Sequence, residues 1–240
     1  MANTFFKFKQ FTVNQAHCAM KVCTDACIQG AFTAQYLADS HLTVSAILDI
    51  GAGTGLLSLM LAQQSGAVIT AVELDPAAAQ QATENFNASP WADRLSLTQQ
   101  DIRKMDAAVK YDFIISNPPF YEAALKSGHA TKDQAMHATN LSYKELIAAI
   151  DQHLQPSGEV SILLPFVQFE TFRLLAVAAG YHLQQVMYIR QSVNHGYFRA
   201  TGIFAKTPAT TIIQELAIYD ANNVYTSAFA QLLQPYYLYL

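Results

Sequence analysis

Asp49-Ile50-Gly51-Ala52-Gly53-Thr54-Gly55 is the stretch on which the reading of this chain turns. Ahead of it, Ala46–Ile50 (AILDI) is a short apolar run of the kind that forms a buried strand. Behind it, Gly55–Gln64 (GLLSLMLAQQ) is apolar nearly all round, as a helix laid against a sheet is. Glycines at such a turn let the backbone approach a ligand and take up conformations that a Cβ forbids. Their spacing departs from the dinucleotide-binding form, in which the third glycine stands one residue later. Asp49 immediately precedes the loop, and a carboxylate there repels a pyrophosphate but attracts an ammonium or sulfonium group.

The next apolar run, Val68–Glu73 (VITAVE), ends on Glu73, about twenty residues beyond the loop, where a carboxylate can accept both hydroxyl hydrogens of a ribose. Asp101, after the run Leu95–Thr98, supplies an acceptor for an adenine amine. This set suits S-adenosylmethionine better than NAD. The competing reading is an ordinary strand-to-helix turn followed by two solvated carboxylates. Three such features at consecutive strand ends weigh against it.

Working outward, apolar runs alternate with helical patterns, the cue for a parallel sheet with crossover helices. Pro76 opens a helix, where proline tolerates the first turn. Tyr111–Ser116 continues the sheet, a helix begins near Tyr143, and Val160–Leu164, Tyr181–Arg190 and Arg199–Lys206 read as strands. The turn Asn194-His195-Gly196 joins the last two as an antiparallel hairpin, and a helix-like tail runs from Tyr225 to Gln234. The polar stretch after Pro119, residues 120–142, is long enough to be a functional lid. The 240 residues suffice for one α/β domain. They divide into an N-terminal extension (1–44), a catalytic core (45–206) and a C-terminal tail (207–240).

Asn117-Pro118-Pro119-Phe120 directly follows the run Tyr111–Ser116, at the carboxyl edge where α/β sheets bind ligands. The prolines stiffen the backbone, so Asn117 Oδ1 and the Pro118 carbonyl can be aimed. An adenine amine is a poor nucleophile because its lone pair is delocalised into the ring. Acceptors for both its hydrogens favour the tetrahedral geometry of the transition state. Phe120 can stack on a base taken out of its helix. The alternative for this motif is a rigid turn capped by an aromatic plug.

Acidic residues outnumber basic ones, 18 to 14, so the surface as a whole is no magnet for nucleic acid and any RNA contact must use a local basic patch. Lys7, Lys9 and Lys21 offer one, with Phe5, Phe6, Phe8 and Phe11 interleaved. An apolar strand with solvated lysines is an equal alternative. Cys18, Cys23 and Cys27 lack the spacing and histidine partners of a zinc site, so no metal is expected and the thiols read as reduced. No stretch reads as a signal peptide or a membrane span, and a cytoplasmic location is expected.

With these residues in view, the chain resembles the class I S-adenosylmethionine-dependent methyltransferases, and within them the amino-methyltransferases with an Asn-Pro-Pro-aromatic motif. More narrowly, it is similar to the bacterial enzymes that methylate the adenosine immediately 3′ of the anticodon in a valine tRNA. Phe8-Lys9-Gln10-Phe11, Lys21-Val22-Cys23-Thr24-Asp25, the loop Asp49–Gly55, Val72-Glu73-Leu74-Asp75, Asn117–Phe120 and Tyr236-Tyr237-Leu238 carry the similarity. The resemblance implies a Rossmann-like, mostly parallel seven-stranded sheet with an antiparallel C-terminal hairpin and helices on both faces. It implies that Thr24 lies near the methionine end of S-adenosylmethionine, that Asp49, Gly51, Ala52, Gly53, Gly55, Glu73, Asp101 and Asn117 form the cofactor pocket, and that Asn117, Pro118 and Phe120 receive the target base. A tRNA substrate and a monomeric enzyme are expected. Protein-glutamine or DNA-adenine amino-methyltransferases share the central motifs, and a catalytically idle RNA-binding module is the reading from another class. Intact Asp49, Glu73 and Asn117 speak against the last.

Overall fold

The computed structural model describes residues 3–16, 18, 21–40, 42–119 and 141–240. Ten strands are described: β1 (Phe5–Lys7), β2 (Thr12–Asn14), β3 (Ala46–Ile50), β4 (Val68–Glu73), β5 (Leu95–Gln99), β6 (Tyr111–Ser116), β7 (Leu154–Pro165), β8 (His182–Ser192), β9 (Tyr197–Ala205) and β10 (Ile212–Tyr219). The described helices are α1 (Thr24–Asp39), α2 (Leu56–Gln64), α3 (Pro76–Asn87), α4 (Tyr143–His153), α5 (Phe166–Ala178) and α6 (Ser227–Leu233). β1 and β2 form a separate hairpin, and the other strands make one sheet in the order β10-β8-β9-β7-β6-β3-β4-β5. Only β9 runs against its neighbours, β7 and β8.

Side chains alternate across the strands with period two, and the two faces receive different helices. Ile47, Ile69, Phe113, Ile115 and Leu163 pack in one core with residues of α1, α2, α3 and α6. Leu48, Ile50, Val72, Ile114, Ile162 and Leu164 pack in the other with α4 and α5. Because both faces are covered, the central strands read as continuous apolar runs. α2 is buried from Leu56 to Ala62, which explains why it carries no polar stripe.

The expected parallel sheet and the β8–β9 hairpin are present, but among the described residues the sheet has eight strands, not seven. The additional strand is β10, which pairs in parallel with β8 at the edge. The first four residues of β10, Ile212 to Glu215, are exposed, so the alternation that marks a half-buried strand is missing there. The N-terminal aromatics are also placed differently from a stacking platform. Phe8 and Phe11 are buried and stacked on each other, with Trp91 edge-on to Phe11 and Tyr237 packed on Phe8. Their apolar faces are removed from water by the chain itself, which leaves the lysines of this segment, without those two rings, for any RNA contact.

β3 is hydrogen-bonded to β4 on one edge and β6 on the other. The connections leaving it therefore diverge, and a crevice opens at the carboxyl ends of these strands. Opposite this edge, the Arg94 guanidinium donates to the carbonyls of Ala62, Ser65 and Ala67 at 2.9, 3.0 and 2.8 Å, closing the C-terminal end of α2. Arg94→Met keeps the apolar stem and removes all three bonds. It should lower unfolding free energy by about 2 kcal/mol, with an unchanged denaturant slope. Urea unfolding with a midpoint equal to that of the parent chain would show that water replaces the guanidinium at no cost.

Candidate functional site

The loop after β3 takes its shape from three glycines in the left-handed region, Gly51 at φ 74°, Gly53 at φ 56° and Gly55 at φ 82°. They serve two ends. A Cβ on Gly51 or Gly53 would meet nothing within 4 Å, so at these positions the bare backbone borders open space. A Cβ on Gly55 would stand 2.4 Å from the Phe86 ring, so this glycine seats α2 against α3. The loop is tied to β4 by Gly51 N and Ala52 N, which both donate to the Val72 carbonyl. Glu73 holds it from the side: Oε2 accepts from Gly53 N at 2.8 Å, and Oε1 from Asp75 N at 2.9 Å.

A cleft of about 560 Å³ lies over this loop. Of the residues expected in the cofactor pocket, Gly51, Gly53, Glu73, Asp101 and Asn117 are on its wall, together with Pro118. Asp49, Ala52 and Gly55 are not: Ala52 is buried in the core, Gly55 faces Phe86, and Asp49 lies behind the loop. Asp49 is fully buried, and its Oδ2 accepts from Ser58 Oγ at 2.7 Å and Ser58 N at 3.2 Å, in the first turn of α2. A carboxylate under the N-terminus of α2 satisfies free amide groups and meets the positive end of the helix dipole. Its other oxygen has no hydrogen-bond partner. Burial raises the Asp49 pKa from 3.8 to about 7, against the pull of the two Ser58 bonds and with a further push from the charge on Glu73.

Asp101 is gripped by a side chain that the sequence did not single out. The Arg103 guanidinium donates from Nε to both Asp101 oxygens, at 2.9 and 3.0 Å, and from Nη2 to Oδ2 at 2.6 Å, while Nη1 reaches Glu145 at 2.9 Å. The Arg103 bonds hold the Asp101 carboxyl below the usual carboxylate range. Nothing in the local pattern marks Arg103, because its second partner lies 42 residues away in α4.

A second cleft, of about 460 Å³, adjoins the first and is lined by Lys21, Thr24, Asp25, Phe198, Arg199 and Tyr219, among others. Thr24 opens here, not on the larger cleft. Asp25 and Arg199 form an ion pair across it, Nε to Oδ2 2.7 Å. Among the described residues, Asn117 is the one side chain on the walls of both clefts. Its Oδ1 is buried and has no hydrogen-bond partner. Phe120 lies outside the described residues, as do residues 121–140 of the stretch expected to form a lid.

The three lysines have different surroundings. Lys7 is exposed on β1, Lys9 Nζ donates to the Gln234 carbonyl, and Lys21 Nζ donates to the Gln15 carbonyl. Among the described residues, no group of three His, Cys, Asp or Glu side chains is placed to hold a metal ion, and no helix is long and apolar enough to cross a membrane.

The methyltransferase small domain family matches residues 31–168. The tRNA1(Val) (adenine(37)-N6)-methyltransferase of Dyadobacter fermentans is 41% identical over 98% of both chains. The protein of the same name from Cytophaga hutchinsonii is 38% identical over 100% of both. Among solved structures, a predicted O-methyltransferase from Agrobacterium tumefaciens shares the fold, with a TM-score of 0.63 and 15% identity over 88% of this chain and 96% of that one. A methyltransferase domain matched over more than half of the chain, and relatives of one name matched over nearly all of it, place the chain in the tRNA1(Val) (adenine(37)-N6)-methyltransferase family, within the S-adenosylmethionine-dependent methyltransferases.

Proposed function

We propose that the chain methylates the exocyclic amine of an adenine in tRNA, the adenosine 3′ of the anticodon in a valine tRNA, acting as a monomer in the cytoplasm. Asn117 Oδ1 carries this reading. It is a buried acceptor without a partner, on the one residue that borders both clefts. Burying such an atom is costly unless something donates to it. A planar amine entering from the second cleft is such a donor.

The residues present fit S-adenosylmethionine: open space stands over Gly51 and Gly53, and the unpartnered Asp49 oxygen lies below the loop. When bound, the cofactor supplies a methyl group made electrophilic by its sulfonium. Glu73 accepts one bond per oxygen, from Gly53 N in the loop and from Asp75 N after β4, and keeps lone pairs for ribose hydroxyls. Asp101, fixed by Arg103, is the acceptor proposed for the adenine amine of the cofactor. Thr24, beside Asn117 on the second cleft, is proposed for the methionine end. Asp49 acts from behind the loop, by field and not by contact, and low-dielectric surroundings lengthen the reach of its charge.

Asn117 Oδ1 and the Pro118 carbonyl accept the two hydrogens of the target amine. This would draw the amine lone pair out of the ring and make it available to a methyl donor, and the amine's surplus proton would be lost to water. Phe120, next after Pro119, is the proposed stacking residue for the base. Lys7, Lys9 and Lys21 are proposed for backbone phosphates. An ammonium has three hydrogens, so the carbonyl bonds of Lys9 and Lys21 leave charge available.

Incubation with labelled S-adenosylmethionine and bulk tRNA, followed by digestion to nucleosides, should place the label in N6-methyladenosine, and fragment mapping should locate it beside the valine anticodon. Label in any other nucleoside overturns the proposal. Asn117→Ala should reduce turnover by roughly a hundredfold or more while cofactor affinity stays within about tenfold. Parental turnover in that variant would remove Asn117 from the chemistry.

A further expectation concerns pH. The folded-state pKa of Asp49 lies above its unfolded value, so between about 4 and about 7 the folded chain holds a proton that the unfolded chain has lost. Stability from this residue therefore declines as pH rises through that window, by at most roughly 4 kcal/mol, and is level above it. Cofactor affinity should move the opposite way, strengthening as Asp49 ionises near pH 7. In Asp49→Asn both slopes should flatten; urea unfolding at pH 5 and 8, with calorimetric titration of S-adenosylmethionine at pH 6 and 8, measures them. An Asn variant that keeps the parental slopes would show that other groups titrate.

A further inference from the structure

The Asn117 side chain has to be held still to act, and the turn that carries it has two adjustable joints. Pro118 restricts the backbone on its far side, because the residue before a proline is kept out of the helical region. On the near side lies the Ser116–Asn117 peptide. β6 ends at Ser116, so this peptide's carbonyl lies at the end of the ladder that pairs β6 with β3 and β7. A buried carbonyl without a partner is costly, and a peptide plane without one is free to turn.

The partner comes from α1. Gln29 is fully buried, and its Nε2 donates to the Ser116 carbonyl at 2.9 Å, across 87 residues of sequence. Two further oxygens surround the same nitrogen, Ser161 Oγ at 3.4 Å and the Ser161 carbonyl at 3.5 Å. With three oxygens about it, only the amide nitrogen can face this way. Ser161 Oγ is bonded in turn to Thr33 Oγ1 at 2.7 Å, one helical turn beyond Gln29 on the same face of α1. On the other side of the strand end, Ser116 Oγ donates to the Ile50 carbonyl at 2.8 Å. Residue 116 is thus anchored both to the strand that precedes the glycine loop and to the helix whose first turn supplies Thr24 and Asp25 to the second cleft.

We propose that Gln29 is a positioning residue for amine methylation: by holding the Ser116–Asn117 peptide plane it aims Asn117 Oδ1 at the target amine. Gln29 touches neither cofactor nor base, and acts only through Asn117. This rests on the role given to Asn117 above. A long polar side chain buried on α1, with its own Oε1 left unpartnered, is costly for the fold. The hold on the catalytic turn is what that cost secures.

Gln29→Met keeps the length of the side chain and removes the donor. Turnover on tRNA at saturating substrates should fall at least tenfold, with the KM for tRNA and the dissociation constant of S-adenosylmethionine within about threefold of the parent. Arg94→Met, which weakens the fold far from the site, should leave turnover unchanged. The double variant Gln29→Met/Asn117→Ala should turn over no more slowly than Asn117→Ala alone, because the two residues serve one hydrogen-bonding task. Multiplying defects, or an unchanged turnover in Gln29→Met, would overturn the assignment. A second readout needs no turnover. In protein labelled with 15N-asparagine, the Asn117 amide resonances should shift or broaden in Gln29→Met and stay in place in Arg94→Met. If the parent chain fails to methylate tRNA, the substrate reading fails, and unmoved Asn117 resonances would then sink the role of Gln29 separately.

Discussion

β3 carries parallel hydrogen bonds to β4 along one edge and to β6 along the other, and the site depends on that double pairing. It brings the loop after β3, the acid at the end of β4 and the turn after β6 to one crevice, although they are separated by tens of residues in the chain. It also fixes their heights. Ile50 pairs with Val72 on one side and with Ser116 on the other, so the three strand ends lie level. A slip of one residue in either ladder would turn Asp49 or Ser116 to the opposite face, and buried polar groups would meet the wrong core.

The electrostatics of the crevice follow from how its acids are held. Glu73 is shared between two backbone amides, Asp101 is locked by an arginine, and Asp49 is buried beneath a helix terminus. These are three different solutions to keeping a carboxylate where a cationic ligand is wanted. The first leaves the group half-buried and available, the second sets its orientation, and the third makes its charge dependent on pH. Only the third is expensive for the fold, since a wholly buried acid ionises at the expense of stability.

Much of this was legible in the sequence because it is encoded locally. The glycine loop and the Asn-Pro-Pro turn follow apolar runs directly and Glu73 closes one, so periodicity alone puts them at strand ends. Contributions that join distant segments were not legible. Arg103 and Gln29 are single polar residues with no periodic signal, and their partners lie 42 and 87 residues away. Asp49 was read as facing the ligand because it adjoins the loop, but strand alternation turns it toward α2. β10 escaped because the edge of a sheet needs no continuous apolar face, and Ile212 and Ile213 are exposed. The N-terminal phenylalanines were ambiguous for the opposite reason: burial and base stacking ask for the same residue type.

That N-terminal cluster links the two ends of the described fold. Phe8 and Cys27 share a core with Phe229, Leu233 and Tyr236, and the Lys9 amide donates to the Tyr236 carbonyl at 2.8 Å. The earliest and latest parts of the fold are therefore mutual neighbours. A nascent chain emerging from the ribosome can assemble β3 to β6 and their helices, but the layer under α1 stays incomplete until the residues around 236 are released. The apolar faces of Phe8, Phe11 and α1 have to wait for them, which makes this side of the molecule the one most in need of shelter during synthesis.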